Sequence, residues 1–215
     1  MIKFAVFASG SGTNFQAIID AIKSGKIRGR IKILITDNPK AGAIKRAEKA
    51  KIPVEIIQRQ EFVEYGEYAT AMVNILSEEA VDLIVLAGYM KKIPSYIVEN
   101  YRNKIINIHP ALIPAFCGKG YYGLKVHKAA IDYGVKVSGI TVHFVDEKYD
   151  HGPIIAQSTV RVDSDDTPAS LQKKIQKLEH RILPEVISLF ANGRISVEGR
   201  IVKIESDYTE GLFNK

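Results

Sequence analysis

Short apolar runs alternate with helical periodicity along the first half of the chain. Five runs are β-branched or aliphatic and bounded by turn signals, which predicts buried strands over residues 2–9, 31–37, 53–57, 82–87 and 105–108. Between them, apolar positions recur every three or four residues, which predicts helices over 14–24, 42–50, 61–79 and 95–101. This alternation predicts an α/β fold: a doubly wound, mostly parallel sheet with helices on both faces.

The pattern changes after residue 109. A loop rich in Pro, Gly and Tyr over 110–123 precedes a helical segment, and two further strands, over 136–145 and 153–162, are expected to add antiparallel strands to the sheet. Capping signals then bound a long helix over 167–192, and alternation around a Glu-Gly turn predicts a hairpin over 195–204. Because no repeat or linker interrupts the chain, we expect one domain over residues 1–215.

Composition and charge narrow the class of protein. No apolar stretch approaches the roughly 18 to 20 residues that cross a bilayer, and no signal-peptide core follows Met1, so we expect a cytoplasmic location and no membrane partner. A single cysteine, Cys117, agrees with a reducing compartment. The net charge of +6 comes from lysines interleaved with acids. This distribution weakens the inference of a nucleic-acid partner, and small anionic substrates explain the positive surplus equally well.

Glycines cluster between the first predicted strand and the first predicted helix, in Ser9-Gly10-Ser11-Gly12-Thr13-Asn14. Glycines let a backbone approach a ligand closely, and the N–H groups that open a helix bind anions, so this segment is a candidate phosphate cradle. Phe15 stands where the dinucleotide fingerprint requires glycine, and no Gly-Lys-Ser/Thr completes a P-loop. A tight turn capped by Thr13 or Asn14 is an equally good interpretation.

Asn107 and His109 stand two residues apart at the end of the fifth predicted strand. Alternation places both on one side of the strand, and the carboxyl ends of strands in open α/β sheets face a ligand crevice. A histidine exchanges protons near neutral pH, and an amide N–H stabilises a developing oxyanion. The alternative is a structural histidine whose ring is satisfied by a backbone carbonyl.

Acidic residues cluster in the turn from Asp146 to Asp150. If the strand order brings this turn to the same crevice, one carboxylate orients His109 and raises its pKa. The alternative is a solvated turn in which Asp150 is only an Asx-type turn former.

Metal and covalent chemistry have weak support. The five histidines show no metal-ligand spacing, and a meeting of His143 with His151 across a turn is a poor candidate, so no metal is expected. A G-x-S-x-G elbow is absent, and Cys117 has no base beside it in sequence.

Taken in order, five motifs resemble the glycinamide ribonucleotide transformylases, also called phosphoribosylglycinamide formyltransferases. They lie at 7–14, 85–90, 107–114, 142–146 and 150–155. The resemblance covers essentially the whole chain. It implies a Rossmann-like formyltransferase fold with a nucleotide-binding half, 1–109, and a folate-binding and C-terminal half, 110–215.

The same resemblance implies the reaction. The formyl group of the co-substrate 10-formyltetrahydrofolate passes to the glycine amine of glycinamide ribonucleotide, a step of de novo purine biosynthesis. The amine attacks directly, and the catalytic residues are Asn107, His109 and Asp150. His109 and Asn107 would stabilise the oxyanion, and Asp150 would orient the imidazole.

The resemblance also assigns binding residues. The ribonucleotide would contact Gly12, Thr13, Asn14, Gln176 and Glu179. The folate would contact Tyr65, Met90, Lys91, Lys92, Ile93, Asn107, Asp146, Glu147, Lys148, Tyr149 and Asp150. Tyr65 replaces an arginine that often meets the folate glutamate tail in this family, and the loop 115–123 is a candidate lid.

Three alternatives stay open at this point. One is a hydrolase or tRNA formyltransferase that uses the same folate, since the Asn-x-His and Leu-x-Pro pair occurs there too. Another is a non-enzymatic nucleotide-binding or nucleic-acid-binding module. A third is an NAD-dependent dehydrogenase with Asp37 as its ribose ligand, against which Phe15 argues. A homodimer is also left open.

Overall fold

The computed structural model describes residues 1–205, and the chain divides into two compact units. The first unit covers Met1–Ile106 and the second begins at Asn107. The single domain expected over 1–215, with halves meeting at residue 109, stays a prediction, and its last ten residues lie outside the described part of the chain.

The first unit is built from parallel strands and helices in alternation. Its strands are β1 (Ile2–Phe7), β2 (Gly29–Thr36), β3 (Val54–Ile56) and β4 (Leu83–Leu86). Its helices are α1 (Thr13–Lys23), α2 (Gly42–Ala50), α3 (Tyr65–Glu78) and α4 (Ser95–Asn100). Strand β1 pairs in parallel with β2 and β4, and β2 pairs with β3. The predicted βαβ alternation is therefore confirmed.

The start of α3 differs from the prediction. The apolar periodicity extends back to residue 61, but a short 3-10 turn occupies Arg59–Glu61 and the helix begins at Tyr65. Glu64 and Glu67 form a capping box there, in which each side chain accepts the backbone N–H of the other. The cap, rather than the hydrophobic pattern, sets the first residue of the helix.

Strand β5 (Ile105–His109) runs across the boundary of the two units, and the second unit adds more elements. They are α5 (Leu124–Tyr133), β6 (Val137–Phe144), β7 (Ile154–Arg161), α6 (Pro168–Ala191), β8 (Ile195–Glu198) and β9 (Ile201–Ile204). Within residues 1–205, the strand order of the seven-stranded sheet is β3-β2-β1-β4-β5-β6-β7. Because β6 and β7 pair antiparallel, the predicted change of sheet character is confirmed.

Helix α6 packs on β6, β7 and α5. Its predicted cap is present: Thr167 Oγ1 accepts the N–H of Ser170, and Ser170 Oγ accepts the N–H of Thr167. Strands β8 and β9 form the expected hairpin. None of the helices within residues 1–205 is long and apolar enough to span a bilayer.

Candidate active site

The end of β5 and one turn of the second unit bring Asn107, His109 and Asp150 together. Asn107 Nδ2 lies 3.4 Å from Asp150 Oδ1, and His109 Nδ1 lies 3.5 Å from Asp150 Oδ2. Both β5 side chains thus reach one carboxylate, as the i, i+2 spacing predicts. Gly152 allows the approach of the turn, because a Cβ there would lie 1.9 Å from the carbonyl oxygen of Phe144.

Both ring nitrogens of His109 have partners, and the ring is only 4% exposed. Nε2 lies 2.9 Å from the carbonyl oxygen of Phe116, which can only accept, so Nε2 carries a proton. Nδ1 then faces the carboxylate of Asp150, and protonation at Nδ1 creates an ion pair. The cationic form of His109 is the form that satisfies both partners.

Burial determines the net pKa of His109. Burial lowers the pKa below its usual value, and the charge of Asp150 and the Phe116 carbonyl raise it by less. The prediction that Asp150 raises this pKa is correct for its own contribution and wrong for the net value, because the loss of hydration outweighs the ion pair. The imidazolium is therefore scarcer near neutral pH than the sequence suggests.

Asp150 is ionised despite its position. Burial raises the pKa of this carboxyl, but His143, whose Nε2 lies 3.8 Å from Asp150 Oδ1, the charge of His109 and the N–H of Gly118 together lower it below its usual range. Gly118 N donates to Asp150 Oδ2 over 2.9 Å. A buried carboxylate with this many donors holds its charge at neutral pH and fixes the side chains around it.

His143 sets the orientation of the Asn107 amide. Its Nδ1 lies 2.7 Å from the carbonyl oxygen of Phe144, so Nδ1 is the protonated nitrogen and Nε2 is an acceptor. Nε2 accepts from Asn107 Nδ2 over 3.1 Å. One amide N–H is thereby committed to His143, while the second donates to Asp150 over 3.4 Å.

The loop 110–123 covers this cluster and is anchored to β6. Thr141 Oγ1 donates to the carbonyl of Ala111 over 2.7 Å and accepts the N–H of Ile113 over 3.0 Å. Gln157 adds hydrogen bonds to the Ile113 carbonyl and to Thr141 Oγ1. The loop therefore begins from a fixed base and places its Phe116 carbonyl and Gly118 N–H on the two titratable groups.

The glycine segment of the first unit precedes α1, and Gly10 and Gly12 differ in how closely they are packed. Gly12 is the N-cap of the helix, with φ of +71°, and no side chain caps it, so the interpretation of Thr13 or Asn14 as the cap is wrong. A Cβ on Gly12 would lie 2.7 Å from Cα of Ala43 in α2, which makes packing the first reason for glycine here. A Cβ on Gly10 would meet nothing within 4 Å.

Comparison with known proteins gives one consistent answer. The sequence pattern of the formyl transferase family matches residues 2–187. The phosphoribosylglycinamide formyltransferase of Bacillus subtilis is 43% identical over 187 residues, which cover 87% of this chain and 93% of that protein. The chain belongs to the phosphoribosylglycinamide formyltransferase family.

Other members extend this finding. The crystal structure of glycinamide ribonucleotide transformylase 1 from Symbiobacterium toebii is 42% identical, with a TM-score of 0.89 over 95% of this chain and 94% of that one. The chloroplastic phosphoribosylglycinamide formyltransferase of Arabidopsis thaliana is 42% identical over 90% of this chain. The chain spans 66% of the length of that plant relative.

The ribonucleotide residues expected for this formyltransferase family lie on two helices. Gly12, Thr13 and Asn14 open α1 in the first unit, where Asn14 is buried. Gln176 and Glu179 lie in α6 of the second unit, three residues apart and so on one face of the helix; Glu179 is buried and Gln176 is half-buried. Their contact with a ribonucleotide stays a prediction.

The first folate segment follows β4. Met90, Lys91 and Lys92 are exposed, whereas Ile93 is buried. Tyr65 is the first residue of α3 and is half exposed. The guanidinium of Arg59 lies 5.7 Å from the centre of the Tyr65 ring, which places an arginine beside the position where the family often has one.

The second folate segment is the turn 146–150. Asp146 Oδ2 lies 2.6 Å from His151 Nδ1, and Asp146 Oδ1 accepts the N–H of Lys148. Burial raises the pKa of Asp146, but these hydrogen bonds lower it by a larger amount. The net pKa is below its usual value, so the carboxylate stays ionised. Glu147, Lys148 and Tyr149 are exposed on the same turn.

The sequence did not single out three contributors to the cluster: the Phe116 carbonyl, the Gly118 N–H and the His143 ring. The first two are backbone groups, which carry no sequence signal. For His143, the sequence indicates only a weak metal candidate. Among residues 1–205, no group of three or more His, Cys, Asp or Glu side chains is placed to hold a metal ion.

Proposed function

We propose that this formyltransferase moves the formyl group of 10-formyltetrahydrofolate to the glycine amine of glycinamide ribonucleotide, with Asn107, His109 and Asp150 as its catalytic residues. The family gives the reaction, a step of de novo purine biosynthesis, and the folate co-substrate. The observation that carries the assignment of residues is the shared carboxylate: Asp150 contacts both Asn107 and His109.

The reaction needs no covalent intermediate on the enzyme. The uncharged amine attacks the formyl carbon, and the carbonyl electron pair moves onto oxygen as the new C–N bond forms. The Asn107 N–H that donates to Asp150 would turn to this oxyanion, and the imidazolium of His109 would donate to it as well. The adduct collapses when the bond to N10 of the folate breaks, and one proton passes from the attacking amine to N10 through His109 and water.

The contacts of His109 support a proposal for how the site opens. Nε2 donates to the Phe116 carbonyl, and Nδ1 faces Asp150. We propose that the oxyanion replaces the Phe116 carbonyl at Nε2, while Asp150 keeps its place at Nδ1. The loop 115–123 would then move as a lid when substrates bind, because its carbonyl occupies the donor that the reaction uses.

Two binding regions complete the proposal. Gly12, Thr13 and Asn14 would hold the phosphate end of the ribonucleotide, with Gln176 and Glu179 at its ribose. The pterin would meet the backbone of 90–93 and the turn 146–150. At the folate tail, the Arg59 guanidinium beside Tyr65 would supply the positive charge that the tyrosine lacks.

Formyl transfer itself is the test of this function. Purified protein is mixed with 10-formyltetrahydrofolate and glycinamide ribonucleotide, and the change in folate absorbance is followed. We expect a burst-free, catalytic conversion that requires both substrates. Equal folate conversion with water alone would indicate a hydrolase, and conversion only with aminoacyl-tRNA would indicate a tRNA formyltransferase; either result would refute the proposal.

Location and assembly form a separate proposal. We propose a cytoplasmic enzyme that needs only its small-molecule substrates and neither nucleic acid nor membrane. Fractionation of cells tests the location. Recovery of the protein in an organelle fraction, as the chloroplastic name of the plant relative suggests for that protein, would contradict the proposal. A homodimer is the assembly to test against a monomer, by sedimentation at several protein concentrations.

A further inference from the structure

Asp37 is a charged residue at a strand end that the proposed reaction does not use. It follows β2 directly, and its side chain is only 11% exposed. In a nicotinamide-binding protein such a carboxylate would hold a ribose. Here one oxygen accepts the hydroxyl of Ser9 over 2.5 Å and the other lies 3.9 Å from Lys91 Nζ, so the carboxylate is engaged by the protein itself.

Ser9 is fixed through every polar group that it has. Its N–H donates to the carbonyl of Gly88 over 3.1 Å, and its carbonyl accepts from Asn38 Nδ2 over 3.0 Å. Its hydroxyl donates to Asp37 and accepts the N–H of Met90 over 2.9 Å. A hydroxyl has one proton and two lone pairs, so the Ser9 hydroxyl donates to Asp37 and accepts from Met90 at the same time, and the bond to Asp37 fixes the direction of its O–H.

Three consecutive residues after β4 are therefore held in place by the first unit. The Tyr89 ring packs edge-on against Phe7 at 5.2 Å between centres. The Met90 N–H is bound by Ser9, and Lys91 lies beside Asp37. These contacts lie at the carboxyl ends of β1, β2 and β4, which are neighbours in the sheet.

We propose that Ser9 and Asp37 are positioning residues that hold the 90–93 segment in the conformation that binds the folate. We call Ser9, Asp37 and the Met90 N–H the Ser9 cluster. This inference rests on the proposed function, because it takes 90–93 to be the backbone that meets the pterin. Neither side chain contacts a substrate in this proposal. The cluster fixes a short segment of backbone, so loss of the cluster weakens folate binding and leaves the chemical step unchanged.

The test compares Ser9→Ala with Ser9→Thr, Asp37→Asn and the matched control Ser24→Ala. Ser24 donates its hydroxyl to the Ala21 carbonyl at the end of α1, away from the cluster. Folate affinity is measured by calorimetry with the free enzyme, and both Michaelis constants and the turnover are measured in the transfer assay. Hydrogen exchange of the Met90 amide is followed by NMR in the absence of substrates.

Ser9→Ala is expected to speed exchange of the Met90 amide and to weaken folate binding about tenfold, since it removes two hydrogen bonds of ordinary strength. The Michaelis constant for the ribonucleotide and the turnover should each change by less than about twofold. Ser9→Thr keeps the hydroxyl and should restore both readouts. Asp37→Asn keeps an acceptor but loses the charge that faces Lys91, so its effect should be smaller.

Two results would overturn the proposal. One is an unchanged Met90 amide in a folded Ser9→Ala variant. The other is an equal loss for both substrates, which a merely structural role produces. If Ser9→Ala does not fold, Asp37→Asn against Asp37→Ala decides, because Ala leaves the Ser9 hydroxyl without its acceptor. A wild-type enzyme without formyl transfer would refute the proposed function, while the exchange of the Met90 amide would still decide the cluster.

Discussion

Replacing Asp150 by Asn removes one charge from the cluster and keeps its shape. Asn can still accept the N–H of Gly118, so the turn should stay in place. The carboxylate oxygen lies 3.5 Å from His109 Nδ1. Unit charges at this distance attract by about 5 kcal/mol at an effective dielectric constant of about 20. Because the amide dipole recovers part of this energy, we expect turnover to fall on the order of 100- to 1000-fold.

The pH dependence gives the sign of the effect. In the wild type, burial lowers the pKa of His109, and the charge of Asp150 opposes that shift. Without the carboxylate, the effect of burial is unopposed, so the pKa of His109 falls further. Since the imidazolium is the active form, the limb of kcat/KM that descends with rising pH moves to lower pH.

The assay pairs a pH–rate profile with an NMR titration of the His109 ring. Asp163→Asn is the matched control, because Asp163 pairs with Lys174 on an exposed surface and is assigned no role in the reaction. An unshifted His109 titration in Asp150→Asn would refute this reasoning. Equal loss of turnover in Asp163→Asn would show a general effect of charge instead.

Two further predictions concern stability. Gly12→Ala should destabilise the protein by about 2 kcal/mol or more in denaturant unfolding, because a Cβ at this positive φ meets the backbone of Ala43. The control Gly66→Ala lies in helix α3, where a Cβ has open space, and should stabilise the protein by about 0.5 to 1 kcal/mol. Equal effects of the two substitutions would contradict the packing argument. Burial lowers the pKa of His127 to about 4, and the charge of His109 is a second cause. Because the unfolded chain binds this proton more readily than the folded state, the free energy of unfolding should fall by on the order of 3 kcal/mol as the pH falls from about 6.5 to about 4. His127→Gln should lose less over the same range, and an identical pH dependence of unfolding would refute the assignment.

The fold could be predicted from local signals because those signals agree with one another. Apolar runs, turn residues and the Thr167 cap mark the same boundaries that hydrogen bonding creates. The exceptions have local causes that periodicity does not detect. The start of α3 depends on the Glu64–Glu67 capping box.

The candidate site could be predicted only in part. The i, i+2 spacing of Asn107 and His109 places two side chains on one side of a strand end, which is a local property. Their meeting with Asp150 joins residues more than 40 positions apart, and only the family resemblance indicated it. Asp150 does raise the pKa of His109, but the net value falls, because burial depends on the covering loop and cannot be read from neighbouring residues.

The central claim is that Asn107 and His109 act on one oxygen of the transition state. Its most direct test is a double-mutant cycle on turnover, with Asn107→Ala, His109→Ala and the double variant. Loss of one oxyanion donor commonly costs about 100- to 1000-fold, so each single variant should be folded, bind both substrates and turn over slowly. The double variant should lose less than the product of the single losses, since both groups serve the same charge. Near-normal turnover in either single variant, or losses confined to the Michaelis constants, would contradict the claim and place the chemistry at other residues.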